Sequence, residues 1–210
     1  MFIIIDMKNT LKKKIPNEFI IFDTEFTSWK GSQERNWSGK NEYMELVQIG
    51  ALKVKKGDNR LEIVEIFSIF VKPKINPILS QYFINLTNIT QKQIDLEGFD
   101  FKKSIQLFYQ FCKDNSGNLI PLYSYGNDYV IIKHNLDLNK VQLQSKFRSW
   151  EKYFYDIRAF FKDTVDVYKY TSGTLYKAFN IKPKKKEEVH NSLWDSRSLF
   201  LSLNKLMFNR

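Results

Sequence analysis

Apolar runs near the start of the chain predict three consecutive strands. Residues 19–22 are an uninterrupted series of Phe and Ile, which is typical of a strand buried on both faces of a sheet. Residues 45–54 and 63–71 are also rich in aliphatic side chains. The Lys-Lys-Gly-Asp-Asn turn at 55–59 favours an antiparallel hairpin between these two strands.

Helical spacing becomes frequent in the rest of the chain. Thr90, with Gln93 three residues later, predicts an N-cap, and apolar residues at 101, 105, 108 and 112 predict a helix. The remaining pattern predicts a strand over 119–124, a helix after Asp128, a strand passing into a helix within 150–161, a short helix over 174–179, and a last helix from Asn191 or Ser192. This order predicts an α/β fold: a mixed central sheet, made of an antiparallel hairpin plus parallel strands, flanked by α-helices. We assign residues 1–17 to an N-terminal lead-in and residues 18–210 to a single domain.

Composition narrows the classes of partner. Lys and Arg number 33 against 23 Asp and Glu, a formal charge of +10, which favours nucleic acid or an anionic membrane surface. The single cysteine, Cys112, excludes an internal disulfide framework and a cysteine-based zinc site. The first residues have no basic n-region and their apolar run is too short, so we expect no signal peptide, and no stretch approaches the length of a membrane span. We therefore expect a cytoplasmic protein without a membrane partner.

Two carboxylates follow the first apolar run. Asp23 and Glu25 are separated by one residue, so on a strand they point to the same side. Such a pair repels and loses hydration unless the strand end opens to water or a cation lies between the carboxylates. The alternative is a solvated strand end or a turn. Asp128, between a predicted strand and helix, is a third carboxylate at an element end, and its alternative role is to complement the helix dipole.

The last helix begins near a histidine and a fourth carboxylate. His190 and Asp195 are five residues apart, about 140° apart in direction on an ideal helix. They share a site only if the helix starts after His190, which leaves the histidine free in the preceding loop; the alternative is an exposed loop histidine. His134 has no comparable context, and we expect it at the surface.

Convergence of these groups would create a hard-cation site. Four carboxylates without Cys ligands match Mg²⁺ or Mn²⁺ rather than zinc: Asp23, Glu25, Asp128 and Asp195. Two ions bound there would clamp a phosphodiester, one activating water and the other stabilising the leaving oxygen. His190, which titrates near neutrality, would then accept the proton of the attacking water.

Five motifs in register carry a family resemblance. They are Phe22-Asp23-Thr24-Glu25, Val47-Gln48-Ile49-Gly50-Ala51, Leu86-Thr87-Asn88-Ile89-Thr90, Ser124-Tyr125-Gly126-Asn127-Asp128 and His190-Asn191-Ser192-Leu193-Trp194-Asp195. Over residues 18–207 the series resembles the DEDDh 3′–5′ exonucleases, the DnaQ-like branch of the RNase H-like fold. The long loop after the first motif and the Leu-Thr-x-Ile-Thr segment resemble the KapD-like exoribonucleases most closely.

The resemblance implies a function and a set of site residues. It implies a metal-dependent exonuclease that releases nucleoside monophosphates from single-stranded 3′ ends, RNA slightly favoured over DNA. Asp23, Glu25, Asp128 and Asp195 resemble the metal ligands, and His190 resembles the general base. The residues expected around the terminal nucleotide are Thr24, Phe26, Leu86 and Thr90. Relatives often carry a second acidic or aromatic residue after the glycine of the motif that ends at Asp128, so a one-residue shift in the register of Asn127-Asp128-Tyr129 stays open.

Other arrangements stay open at this point. One is a DNA-proofreading subunit within a polymerase assembly, and another is a nucleic-acid-binding module without catalysis; a homodimer is a further partner arrangement. The loop over residues 27–40 carries Trp29 and Trp37, which either stack on bases or pin the loop to the core. The lysine-rich run at 182–186 is either a solvated loop or a phosphate contact.

Overall fold

The computed structural model describes residues 13–141, 150–183 and 189–208. Most of the predicted N-terminal lead-in and Lys184 to Lys186 of the lysine-rich run lie outside these described residues. Ile15, within the predicted lead-in, is buried against the core. The boundary at residue 18 stays a prediction.

A five-stranded mixed sheet forms the centre of the fold. Its strands are β1 (Glu18–Phe26), β2 (Leu46–Lys56), β3 (Leu61–Phe70), β4 (Leu122–Ser124) and β5 (Phe154–Asp156), in the order β3-β2-β1-β4-β5. β1 pairs antiparallel with β2 and parallel with β4; β2 pairs antiparallel with β3, and β4 parallel with β5. The predicted α/β architecture with an antiparallel hairpin and parallel strands is confirmed.

Helices flank this sheet. They are α1 (Gln81–Thr87), α2 (Gln91–Glu97), α3 (Phe101–Phe111), α4 (Asp128–Leu138), α5 (Arg158–Phe161) and α6 (Ser192–Phe208), with 3₁₀ helices at Glu151–Tyr153 and Ser172–Phe179. Within the described ranges, no helix combines the length and apolarity that crossing a membrane requires.

The residues of β1 divide the hydrophobic core into two layers. Ile20 and Phe22 belong to a cluster that includes residues of α3 and α4, whereas Phe19 and Ile21 belong to one that includes residues of α6. All four side chains are fully buried. Alternate side chains of a strand point to opposite faces, so this pattern confirms the prediction of a strand buried on both sides.

Several local predictions are confirmed, and others need correction. Thr90 caps α2 with a reciprocal capping box to Gln93, as the sequence predicts. The predicted strand over 119–124 is shorter: β4 covers only 122–124, since Pro121 lacks a backbone N–H for the ladder, and Leu119 forms an isolated bridge with Lys113. Ser80 caps the short helix α1, which the sequence analysis did not predict. The predicted short helix over 174–179 is a 3₁₀ helix that starts at Ser172.

The start of α6 packs directly on β2. The Ser192 backbone N–H donates to Oε1 of Gln48 at 3.0 Å, and the Ser196 hydroxyl donates to the Gly50 carbonyl at 2.9 Å. A Cβ atom at Gly50 would overlap with the backbone of Ser192 and Leu193. Glycine at position 50 therefore allows the helix to approach the strand backbone.

We predict that Gly50→Ala lowers the free energy of unfolding by about 2 kcal/mol or more, because the added methyl meets backbone that cannot rotate away. Chemical denaturation measures this change. Gly57→Ala is the control, since a Cβ there meets only the Arg60 carbonyl, at 3.1 Å, in a surface turn. An equal effect of the two substitutions would contradict the close-packing explanation.

Candidate active site

An open cleft of about 460 Å³ lies at the carboxyl end of β1. Because β1 and β4 are parallel neighbours, the segments that follow them emerge at the same edge of the sheet. β1 contributes Asp23 and Glu25, and the first residue of α4, which follows β4, is Asp128. The first turn of α6 contributes Asp195. All four predicted carboxylates line this one cleft.

Three of these carboxylates lie within reach of one ion. One carboxylate oxygen from each of Asp23, Glu25 and Asp195 lies within 4.8 Å of the other two. The side chains are 6%, 9% and 2% exposed, respectively. The arrangement has the oxygen-only donor set that Mg²⁺ and Mn²⁺ prefer.

The fourth carboxylate is held by β1 itself. Oδ1 of Asp128 accepts hydrogen bonds from the Thr24 backbone N–H at 2.9 Å and from the Thr24 hydroxyl at 2.6 Å. These bonds join the start of α4 to the strand that carries Asp23 and Glu25. Asp128 lines the cleft, whereas Tyr129 is not among the described lining residues, and the assignment of Asp128 as a site residue stays a prediction.

The electrostatics of the cleft oppose four simultaneous negative charges. Burial raises the pKa of Asp23 well above its ordinary value, and repulsion from Asp128, Asp195 and Glu25 adds to the rise. The pKa of Glu25 rises for the same reasons, burial first. Burial raises the pKa of Asp128 to about 6 and that of Asp195 to about 7, although hydrogen bonds to each lower it. A cation is the simplest way to hold the group ionised at neutral pH.

The surroundings of Asp195 test whether a cation fits. Its Oδ2 accepts a hydrogen bond from the Ser172 hydroxyl at 2.9 Å. Its buried Oδ1 has no hydrogen-bond partner among the described residues. A Cβ atom at Gly173 would overlap with this same Oδ1. An unpaired buried carboxylate oxygen next to two other carboxylates fits a metal ligand.

His190 precedes α6, as predicted. α6 begins at Ser192, and Oδ1 of Asn191 caps it by accepting from the backbone N–H groups of Leu193 and Trp194 at 3.2 and 3.3 Å. His190 adopts a left-handed backbone conformation, with φ of 65°, and its half-buried side chain lines the cleft. Burial lowers the pKa of His190, which favours the neutral imidazole.

Of the four residues predicted to surround the terminal nucleotide, three line the cleft as the structure describes it and one does not. Thr24, Phe26 and Leu86 line the cleft. Among the described lining residues Thr90 is absent, and its hydroxyl is engaged in the capping box of α2. Trp37 lines the cleft and packs on Phe26 with ring centroids 5.4 Å apart, so it both pins the loop and borders the site.

His134 also differs from expectation. It lies on α4 and is half-buried rather than at the surface. Its Nε2 atom is buried, with no hydrogen-bond partner in the part of the chain that the structure describes.

Sequence reasoning missed much of the cleft wall. The lining residues that it did not single out include Tyr82 and Phe83 of α1 and the segment Tyr170, Thr171 and Ser172. None belongs to a charged pair or motif, and their segments meet only through tertiary packing. The Ser172-Gly173 pair was the one sequence feature that could have indicated this part of the wall, because a glycine beside a hydroxyl residue permits close approach to another group.

We predict that the metal-free protein becomes less stable as the pH rises from 5.5 to 8. Burial raises the pKa of Asp195 from its ordinary value of 3.8 to about 7 in the folded state. Between these two values the folded state holds a proton that the unfolded state has already released, so the stability it contributes is lost as the pH rises through about 7. The melting temperature in EDTA should fall by about 4 °C or more. Mg²⁺ or Mn²⁺ should raise the melting temperature most at pH 8, because the ionised ligands bind cations.

The variant Asp195→Asn distinguishes the contribution of Asp195 to this pH dependence from the contributions of other titrating groups, including His190. Its melting temperature in EDTA should change less with pH than that of the wild type. A wild-type melting temperature that rises between pH 5.5 and 8 without metal would contradict the raised pKa values.

Comparisons with known proteins agree with this geometry. The family model described as Exonuclease (RNase_T) matches residues 20–200. A probable 3′-5′ exonuclease, KapD, from Bacillus subtilis is 32% identical over 131 residues, which are 62% of this chain and 58% of that protein. A DNA polymerase III of PolC type from Clostridium perfringens is 34% identical over 87 residues, 41% of this chain and 5% of that protein.

Solved structures show the same fold. A 3′-exonuclease structure described as 3′-end specific recognition of histone mRNA stem-loop has a TM-score of 0.69 at 16% identity, and covers 97% of this chain and 70% of that one. The nuclease domain of 3′hExo, described as a DEDDh family member bound to rAMP, has a TM-score of 0.66 at 17% identity and covers 92% and 93% of the two chains. The predicted RNase H-like fold is confirmed. Because the family model spans residues 20–200, the chain belongs to the Exonuclease family, and its predicted resemblance to the KapD-like 3′–5′ exonucleases is confirmed.

Proposed function

We propose that this protein is a metal-dependent 3′–5′ exonuclease that releases nucleoside monophosphates from single-stranded nucleic acid, with RNA slightly favoured over DNA. The observation that carries the proposal is the convergence of Asp23, Glu25 and Asp195 within 4.8 Å in an open cleft, with Asp128 held beside them by Thr24. The family membership supports the reaction class.

Asp23, Glu25, Asp128 and Asp195 would hold two divalent ions, Mg²⁺ or Mn²⁺. The unpaired Oδ1 of Asp195 and the raised pKa values of the group support this assignment. When bound, such ions neutralise the scissile phosphate and favour attack by water and departure of the leaving oxygen.

The chain's own residues position the reactants. His190, neutral because burial lowers its pKa, accepts the proton of the attacking water. Ser172 orients Asp195 through the bond to Oδ2, and Thr24 orients Asp128. Phe26 and Leu86 offer apolar surfaces in the cleft for the terminal nucleotide, next to the carboxylates.

Charge outside the cleft favours the same substrate class. The formal charge of +10 attracts a polyanion, whereas the buried carboxylates repel phosphate in the absence of a cation. Positive long-range potential together with an acidic centre suits an enzyme that needs metal to act on nucleic acid.

A polymerase-associated proofreading role is the second candidate. The observation that favours it is the similarity to a PolC-type polymerase over 87 residues. This candidate predicts a preference for mismatched DNA ends and co-purification with a polymerase. A homodimer and a cytoplasmic location also stay predictions.

A time course on unblocked and 3′-blocked single-stranded RNA and DNA of equal sequence tests the main proposal. We expect stepwise shortening of unblocked strands with Mg²⁺ or Mn²⁺, a somewhat higher rate on RNA, and none in EDTA. Asp23→Ala should reduce the rate to that of a no-enzyme control, because a ligand to the cation is lost. The control is Asp58→Ala, which removes an exposed carboxylate from the β2–β3 turn.

The folding of the inactive variant can be checked separately. In EDTA at pH 8, Asp23→Ala should melt no lower than the wild type, since one of several mutually repelling groups is gone. Full nuclease activity of Asp23→Ala, or binding without shortening by the wild type in either metal, would contradict the proposed function.

His190→Ala should lower kcat by about 10²–10⁴-fold and leave metal binding intact, because the removed group moves a proton. The acidic limb of the wild-type profile should lie below pH 6.5, given the lowered pKa of His190, and should be lost in the variant. His134→Ala is the matched control, since His134 is not among the described residues that line the cleft. A rate loss with the pH profile unchanged would refute the role of His190 as base.

A further inference from the structure

A second cleft, of about 620 Å³, lies at the end of α4 away from the candidate active site. Asp128 begins α4 in the active site, whereas Asn139 and Lys140, just after the helix, line the second cleft. The 11 residues of α4 separate the two ends by about 16 Å at 1.5 Å per residue. We define the second cleft by its three lysines, Lys74, Lys102 and Lys140, and call it the lysine cleft.

The lysine cleft carries positive charge that the described part of the chain does not neutralise by ion pairing. All three lysines are exposed, and no salt bridge to them is formed within residues 13–141, 150–183 and 189–208. The acidic residue lining the cleft, Asp100, uses Oδ1 to cap α3 by accepting from the Lys103 backbone N–H at 2.9 Å. A cleft lined by three lysines with no salt bridge among the described residues, and by one aspartate that caps a helix, fits an anionic ligand.

The backbone that carries Lys74 is fixed by a buried carboxylate. Glu45 is 2% exposed, and its Oε1 accepts from the backbone N–H groups of Lys74 and Ile75 at 2.6 and 2.7 Å. Its Oε2 accepts from the backbone N–H of Asn76 at 2.6 Å. The position of Lys74 is therefore set by the fold rather than by a free loop.

One stretch of surface connects the two clefts. The 27–45 loop, between β1 and β2, contributes Trp37 to the active-site cleft and reaches the Lys74 segment through the bond from Asn76 Nδ2 to the Asn41 carbonyl. α4 lies alongside this loop, because Asn135 donates to the Met44 carbonyl at 2.8 Å. α4 therefore runs from one cleft to the other, and the loop runs from the active-site cleft to the segment that carries Lys74.

The connecting loop also exposes side chains suited to a single strand. Lys40 is exposed, and Tyr43 is 38% exposed. Basic and aromatic side chains in alternation bind single-stranded nucleic acid through phosphate contacts and base stacking.

We propose that the lysine cleft binds the sugar-phosphate backbone of the substrate on the 5′ side of the nucleotide being removed. This inference rests on the proposed function and extends it by naming where the rest of the strand lies. At about 3.4 Å per stacked nucleotide, a span of about 16 Å corresponds to about five nucleotides. A stacked trimer whose 3′ end is in the active site is too short to reach the lysine cleft, whereas a 12-mer reaches it.

The triple variant Lys74→Ala, Lys102→Ala, Lys140→Ala tests this length dependence. The substrates are a trimer and a 12-mer of single-stranded RNA with identical 3′ sequence, assayed with Mg²⁺. We expect KM for the 12-mer to rise about tenfold with kcat unchanged, and both constants for the trimer to stay at wild-type values. For the 12-mer, the slope of log KM against log salt concentration should decrease by up to about 2. Three phosphate contacts are lost, and each contributes about 0.7 to this slope.

The control variant Lys13→Ala, Lys14→Ala, Lys55→Ala removes the same charge elsewhere. Lys13 and Lys14 precede β1. Lys55 lies opposite Glu18 in the β1–β2 ladder, at the end of β1 away from the carboxylates. Equal KM changes in the two triple variants would overturn the proposal, because they would reflect net charge alone. The proposal would also be overturned if the lysine-cleft variant had an unchanged KM for the 12-mer, or if its KM for the trimer rose as much as its KM for the 12-mer.

Binding without turnover separates this inference from the proposed function. Fluorescence anisotropy of the labelled 12-mer in EDTA should show weaker binding to the lysine-cleft variant than to the control variant. If the wild type cleaves neither substrate, the proposed function fails, and this anisotropy difference still decides whether the lysine cleft binds a single strand. Equal affinities of the two triple variants would overturn the lysine-cleft inference on its own.

Discussion

Mutual repulsion among buried carboxylates is the constraint on which the rest of this structure depends. Asp23, Glu25 and Asp195 come within 4.8 Å of one another with little exposure to water, and the pKa of each is raised. Such a cluster destabilises the fold at neutral pH unless a cation joins it. The surrounding packing therefore has to hold these groups together against their own electrostatics.

Close backbone contacts provide that packing. Glycine at position 50 lets the start of α6 touch β2, which sets Asp195 and His190 beside the end of β1. Glycine at position 173 lets the 3₁₀ helix approach Asp195, and its carbonyl accepts from Trp194 Nε1 at 3.1 Å. The Thr24 bonds to Asp128 complete the link from β1 to α4. The site is thus built from elements far apart in sequence.

Local signals predicted the parts of the molecule that local chemistry determines. The apolar run before Asp23 predicted a strand buried on both faces, and Thr90 with Gln93 predicted a capping box. The positions of Ser172 and Tyr82 were not predictable in this way, because their contacts with the cleft arise from packing between distant segments. Thr90 was predicted to border the nucleotide because it lies within a recognisable motif, but its hydroxyl caps α2 instead. Motif order identified the carboxylates, whereas the walls around them required the fold.

The central claim is that the four carboxylates bind divalent cations that serve phosphodiester hydrolysis. Anomalous diffraction from crystals soaked in Mn²⁺ together with a nucleoside monophosphate tests it most directly, because it locates the ions without relying on turnover. The account predicts two Mn²⁺ peaks in contact with Asp23, Glu25, Asp128 and Asp195, and the nucleotide beside Phe26 and Leu86. An occupied nucleotide with no Mn²⁺ peak at these carboxylates would contradict the account.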